Sequence, residues 1–149
     1  MEINVFLSQP MTGFTEEEII ECRENTKNKL DRIFESLNMI KVHSETIKYS
    51  IIDNTQFGEN KTPLGYLAKD VELLDKADIV VFTAGWQKSR GCNIEYQLAK
   101  TYNIPMIFID DNIIPLGITE AVNNSQFRKK IDSRENNNIK NIKESNKNE

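Results

Sequence analysis

Two acidic residues sit on helix faces where apolar side chains belong. Glu95 lies in Gly91-Cys92-Asn93-Ile94-Glu95-Tyr96-Gln97-Leu98-Ala99, after the apolar run Ala77-Asp78-Ile79-Val80-Val81-Phe82 and a loop from Thr83 to Arg90. At about 100° per residue, Ile94, Leu98, Tyr102, Ala99 and Cys92 share one arc, and Glu95 falls in its middle. Asn93, Gln97, Lys100 and Thr101 hold the opposite face. The preceding helix repeats the anomaly: Asp70 projects between Leu73 and Leu74, inside an arc of Tyr66, Leu67, Val71 and Ala77. An inward carboxylate is costly unless it is paired or opens onto a cleft. One such acid is ordinarily a structural hydrogen-bond acceptor or a cap for another helix. Two of them, on the helices before and after one strand, point to a shared site.

Paired carboxyls can divide the labour of cleaving a glycosidic bond. One attacks the anomeric carbon, and the other delivers or receives a proton at the leaving group. Burial raises the pKa of the acid, while hydrogen-bond donors keep the nucleophile ionised. The spacing alone does not say which acid takes which role.

The elements that must position this pair alternate along the chain. Ile3 to Leu7 reads as a first strand, ending in Ser8-Gln9-Pro10-Met11-Thr12-Gly13. Thr15 and Glu18 form a capping box for a helix reaching about Leu37, with Ile19, Cys22 or Arg23, Thr26, Leu30, Ile33 and Leu37 inward. Either Met39–Val42 or Ile47–Ile52 supplies a second strand, followed by a loop over residues 53–63. A helix from about Leu64 to Lys76, the strand Asp78–Phe82, the Glu95 helix and a strand Met106–Ile109 complete the core. After Asp110-Asp111-Asn112 a last helix is predicted near Ile118–Ile131.

This order implies an α/β fold: a three-layer, flavodoxin/Rossmann-like parallel sheet flanked by helices. In such sheets ligands bind beyond the carboxyl ends of the strands, where the strand order switches. With the common 2-1-3-4 order, the loops after Leu7 and Phe82 flank that crevice.

At 149 residues the chain reads as one domain over 1–127 with a polar tail over 128–149, expected to be disordered or a frayed extension of the last helix. A net charge of −4 gives no basic footprint for a nucleic acid polymer, and the acids interspersed around Arg128-Lys129-Lys130 weaken a case for the tail. Cys22, Cys92 and the lone His43 lack metal-ligand spacing, so neither metal nor cofactor is expected, and His43 reads as structural or exposed. With no signal peptide or long apolar span, no membrane association and a cytoplasmic location are expected.

The loop before the Glu95 helix suggests an anion site. Ser89 and Gly91 flank the helix start, where backbone N–H groups and the helix dipole receive a phosphate, and Arg90 adds charge. Ser89 is equally well a plain N-cap. Ser8 and Gln9 offer polar groups, Gly13 permits a tight turn, and Met11 and Trp86 either stack on a flat ring or simply pack.

Together, Ser8-Gln9-Pro10-Met11-Thr12-Gly13, the segment Tyr66–Asp78 and the string Gly85-Trp86-Gln87-Lys88-Ser89-Arg90-Gly91-Cys92-Asn93-Ile94-Glu95 resemble the nucleoside 2-deoxyribosyltransferase superfamily. The likeness covers about residues 1–110 and is nearest to a bacterial and phage branch of small proteins. It implies that Glu95 attacks the sugar C1′ to form a covalent glycosyl intermediate, and that Asp70 assists proton transfer to the base. The transferases carry an aspartate six residues before the nucleophile; here Ser89 stands there, similar to the 2′-deoxynucleoside 5′-monophosphate N-glycosidases, whose serine helps bind the 5′-phosphate. A neighbouring subunit's C-terminal aromatic completes the transferase site, and this tail ends without one.

The expected activity is therefore N-glycosidase cleavage of a (deoxy)nucleoside 5′-monophosphate, with a small-molecule nucleotide or nucleoside as ligand. Ser89, Ser8 and Arg90 would hold the phosphate and Trp86 would border the base. The resemblance also implies a homodimer or higher homo-oligomer. The alternatives are a nucleoside 2-deoxyribosyltransferase and a non-catalytic nucleotide-binding or sequestering protein.

Overall fold

The computed structural model describes residues 1–41, 43–109 and 115–147, the last segment without the side chains of 115–117. Its elements are β1 (Glu2–Ser8), α1 (Glu16–Met39), β2 (Lys48–Ile51), α2 (Pro63–Leu74), β3 (Ile79–Phe82), α3 (Arg90–Thr101), β4 (Met106–Phe108) and α4 (Pro115–Ser145). A short 3-10 turn, Trp86–Lys88, separates β3 from α3. The four strands form one parallel sheet in the order β2-β1-β3-β4. Of the two candidate second strands, the structure selects the one around Lys48–Ile51; Val42, in the other, lies outside the described residues, as do Asp110, Asp111 and Asn112.

Period-two alternation along the central strands builds two cores. Ile3, Val5, Leu7, Ile79 and Val81 face Leu30, Ile33, Phe34 and Leu37 of α1 and Ile118, Ala121 and Val122 of α4. Phe6, Val80 and Phe82 face the other way, onto Leu74 and Ala77 at the end of α2 and Ala99 of α3. Burial on both faces explains why β3 is a continuous apolar run and not an alternating one. The result is a three-layer α/β fold.

Helix starts follow the signals in the chain. Thr15 and Glu18 close a reciprocal capping box at α1: the Thr15 N–H donates to Glu18 Oε2 at 2.8 Å and the Glu18 N–H to Thr15 Oγ1 at 3.2 Å. Thr62 caps α2 ahead of Pro63, which needs no N–H partner at that position.

The structure differs from the sequence expectation at the tail. Residues 128–145 continue α4 as a helix, the extension that was the alternative to disorder. The segment from Ile118 to Ser145 holds neither glycine nor proline, so no residue in it interrupts the helical hydrogen bonds. Burial along α4 stops at Ser125. Beyond it the helix is tied down by the Arg128 guanidinium on the Ala77 carbonyl (3.3 Å) and by Lys129 on Asp78 (2.8 Å). A chain ending after Asp132 should lose helical circular dichroism yet keep its Tm within about 2 °C. Leu30→Ala, in contrast, should cost about 3 kcal/mol in denaturant unfolding.

Candidate active site

The alternation that builds the two cores also divides the crevice at the carboxyl end of β1. Ser8 follows Phe6 onto the α3 side, and Gln9 follows Leu7 onto the α1 side. Ser8 is fully buried, and its hydroxyl donates to Glu95 Oε1 at 3.0 Å. Glu95 is only 4% exposed, and its Oε2 has no partner among the described residues. The buried face of α3 is Cys92, Glu95 and Ala99. Ile94 and Tyr102, expected inward, are exposed, so the packed face is narrower than the apolar arc and lies on its Cys92 and Ala99 side, with Glu95 still inside it.

Asp70 on α2 is half-buried and accepts a hydrogen bond from Gln56 Nε2 at 3.0 Å. Gln56 comes from the loop after β2, in the left-handed region at φ +52°, where non-glycine residues are uncommon. Its amide is held at both ends: Nε2 also reaches the Tyr66 carbonyl (3.2 Å), and Lys61 Nζ donates to Oε1 (2.9 Å). The loop is fastened further by Arg23, which donates to Asn54 Oδ1 (2.9 Å) and the Ile52 carbonyl (3.1 Å). Asn54 Nδ2 in turn donates to the Leu7 carbonyl (3.1 Å). Val71, expected on the inward arc of α2, is exposed, while Leu74 is buried.

Both acids hold their protons more tightly than free carboxyls do. Glu95 is pushed up to about 8, first by burial and then by the charge of Asp70, against the opposing bond from Ser8. Asp70 rises to about 6 through burial, opposed by the Gln56 bond and the charges of Lys61 and Arg23. At neutral pH the pair therefore carries one proton, which burial favours on Glu95. This reverses the expectation that donors keep the nucleophile ionised: each acid accepts one side-chain hydrogen bond, and the cationic neighbours, Lys61 and Arg23, act on Asp70. Burial also raises the neighbouring Cys92 thiol, which keeps it from acting as a rival nucleophile.

The remaining expected residues spread around this centre. Ser8, expected at a phosphate, is instead committed to Glu95, because its place on the strand turns it inward. Ser89 is the N-cap of α3, accepting from the Cys92 N–H at 3.3 Å. Arg90 is exposed at the first helical position. Gly91 follows in ordinary helical geometry, and a Cβ there would meet nothing within 4 Å, so space is open at the helix start. Gly13 is required by its turn, with φ +87° and the Phe14 N–H bonded to the Met11 carbonyl at 3.1 Å; Met11 is half-buried beside it. Of the two roles considered for Trp86, packing is the one present. It packs on Tyr96 and Phe82 (ring centroids 5.0 Å each), and it lines a cleft of about 490 Å³ with Phe108 and Ile109.

On the α1 side a second cavity, about 290 Å³, is lined by Gln9, Phe14, Ile19 and Thr83 among others. Gln56, Asn54, Thr83, Phe14 and the loop-fastening role of Arg23 were not foreseen from the sequence. Their partners lie on other segments, and a polar residue in a loop carries no periodicity to betray it. Among the described residues no three His, Cys, Asp or Glu side chains converge as a metal would need. No described helix is long and apolar enough to cross a membrane.

These features define a three-layer α/β protein with two proton-retaining carboxyls facing the carboxyl edge of its sheet. The chain belongs to the family described as a domain of unknown function, DUF4406, which matches residues 3–108 and so takes in both acids and the partners named above. No curated protein and no solved structure matches the chain.

The proton on Glu95 links the site to stability. Its folded pKa, about 8, lies above its ordinary value of 4.5, so rising pH ionises the unfolded chain first and stability falls between those values. Glu95→Gln cannot ionise. It should gain on the order of 4 kcal/mol relative to the native protein between pH 4 and pH 9, read as diverging denaturation midpoints.

Proposed function

We propose that this protein is an N-glycosidase that cleaves the base–sugar bond of a (deoxy)nucleoside 5′-monophosphate by double displacement. The observation that carries this proposal is the pair itself: two inward carboxyls that share one proton at neutral pH, one with an unpartnered oxygen. For turnover the shared proton resides on Asp70. The Glu95 carboxylate then bonds to C1′ as the C1′–N bond breaks, its electron pair leaves with the base, and Asp70 protonates the departing nitrogen. Asp70, now ionised, takes a proton from water, which attacks C1′ and releases Glu95. Ser8 positions the nucleophile, and Gln56 with Lys61 positions the acid. Arg90 and the open start of α3 suit the 5′-phosphate.

Ser89, in place of the transferases' aspartate, supports hydrolysis over transfer to a second base. We place the reaction in the cytoplasm. Exposed Leu64, Val71 and Ile94 on α2 and α3 support a homodimer. One observation favours the non-catalytic alternative: Glu95 is almost wholly buried, which disfavours the ionised form a nucleophile needs. Nucleotide binding without release of base over hours would select that alternative.

Liberation of free base from nucleoside monophosphates should follow a bell in pH with flanks near 6 and 8. Below the first flank both carboxyls are protonated and no nucleophile exists; above the second both are ionised and no acid remains. Asp70→Asn should lower kcat by about 10²–10⁴-fold, and Glu95→Gln should reduce release to background. Equal release by Glu95→Gln and the native protein would remove Glu95 from the mechanism.

A further inference from the structure

Among the described residues, five buried side-chain polar atoms have no hydrogen-bond partner, and three of them, Glu95 Oε2, Gln9 Oε1 and Thr83 Oγ1, gather at the ends of β1 and β3. Glu95 belongs to the carboxyl pair. Gln9 and Thr83 lie on the other side of the sheet and line the cavity of about 290 Å³ between the strand ends and α1. Both are more than nine-tenths buried, at 6% and 2% exposure. The Gln9 amide faces one way only, because its NH₂ end donates to the Ile19 carbonyl at 2.9 Å, leaving the carbonyl oxygen unmatched. A buried acceptor left in this state is destabilising, so a ligand that supplies an N–H there is favoured.

The rest of the lining narrows the ligand. Phe14, 54% exposed, offers an unstacked ring at the rim, and Ile19 gives an apolar wall. Glu18 and Glu21 add carboxylates, which disfavour a phosphate and add further acceptors. The volume suits one flat ring and not a whole nucleotide, being at the lower end of small-ligand sites of about 300 Å³ or more. The cavity also adjoins the catalytic centre, since the Thr83 N–H bonds the carbonyl of Ser8, the residue that holds Glu95 (3.1 Å).

We infer that this cavity is the base-recognition subsite and that Gln9, with Thr83, selects nucleotides whose base carries an exocyclic amine. The assignment rests on the nucleotide glycosidase proposal. An amine supplies the N–H that Gln9 Oε1 lacks, and Thr83, as a hydroxyl, donates to the adjacent ring nitrogen. In the same pose a keto base turns its carbonyl oxygen towards Gln9 Oε1 and its ring N–H towards Thr83, which leaves Gln9 unmatched.

The test compares matched pairs, deoxyadenosine with deoxyinosine monophosphate and deoxycytidine with deoxyuridine monophosphate. Binding is measured calorimetrically in Glu95→Gln, where turnover does not intervene, and base release in the otherwise native enzyme. The amino member of each pair should bind about tenfold or more tightly, and Gln9→Met should bring each ratio within about threefold of unity. Thr83→Val should lower affinity for the amino members while leaving unfolding midpoints unchanged or raised, because it removes a hydroxyl with no partner. Base release with no discrimination within either pair, or discrimination that survives Gln9→Met, overturns the subsite and leaves the glycosidase standing. Failure of all four nucleotides to bind or react overturns both.

Discussion

The exclusion of water from Glu95 is the constraint on which the site depends. A carboxyl at the centre of a packed helix face can be kept only by a proton or by donors, and the fold supplies a single hydroxyl from Ser8. That hydroxyl is itself fully buried because it ends one of the two central strands of the sheet. The helix cannot rotate the carboxylate into solvent without drawing Cys92 and Ala99 out of the same interface. Glu95 is thus held at the strand ends by apolar packing, and its charge state follows from where it is held. Local destabilisation of this kind is what functional sites store and the surrounding core offsets.

Asp70 is governed by opposite means. Its surroundings are wetter, and its carboxyl is steadied by polar groups from a loop: the Gln56 amide, braced by Lys61, with the Arg23 charge nearby. Arg23 and Asn54 stitch that loop to the ends of β1 and β2, so the loop is as well anchored as the strands it joins. Two chemically identical groups therefore hold their protons differently because one faces packing and the other lies near Lys61 and Arg23. The same strand end that sends Ser8 to this pair sends Gln9 to the opposite face, so neighbouring residues serve separate chambers of one crevice.

Much of this organisation is legible in the chain. Alternation of apolar runs with helical periods pointed to the layer architecture, the strand order 2-1-3-4 was assumed as the common one and is the order found, and Thr15 with Glu18 marked where α1 begins. Glu95 and Asp70 stood out because a periodic pattern makes a misplaced charge visible. What stayed hidden depends on partners remote in sequence. Ser8 read as a phosphate ligand because nothing near it announces a buried acid 87 residues away. Gln56 sits in a loop without period, and its left-handed backbone leaves no mark in a residue that is not glycine. Ile94 and Tyr102 misled because a wheel of apolar residues gives the width of a buried arc better than its centre. The polar end of α4 read as disorder because it buries nothing, yet no glycine or proline in it interrupts the helix.

The parallel sheet carries a cost in time. Between Ser8 and Glu95 the ribosome must deliver 87 residues of chain, about 4 to 17 s at roughly 5–20 residues per second. β2 and β3 both arrive within that interval, β2 early on one edge of β1 and β3 only near its end on the other. Through the delay Phe6 and Leu7 lie beside an unpaired strand edge, the kind of surface that recruits other nascent chains. The segment bearing the site's first residue is therefore also the one most in need of protection during synthesis.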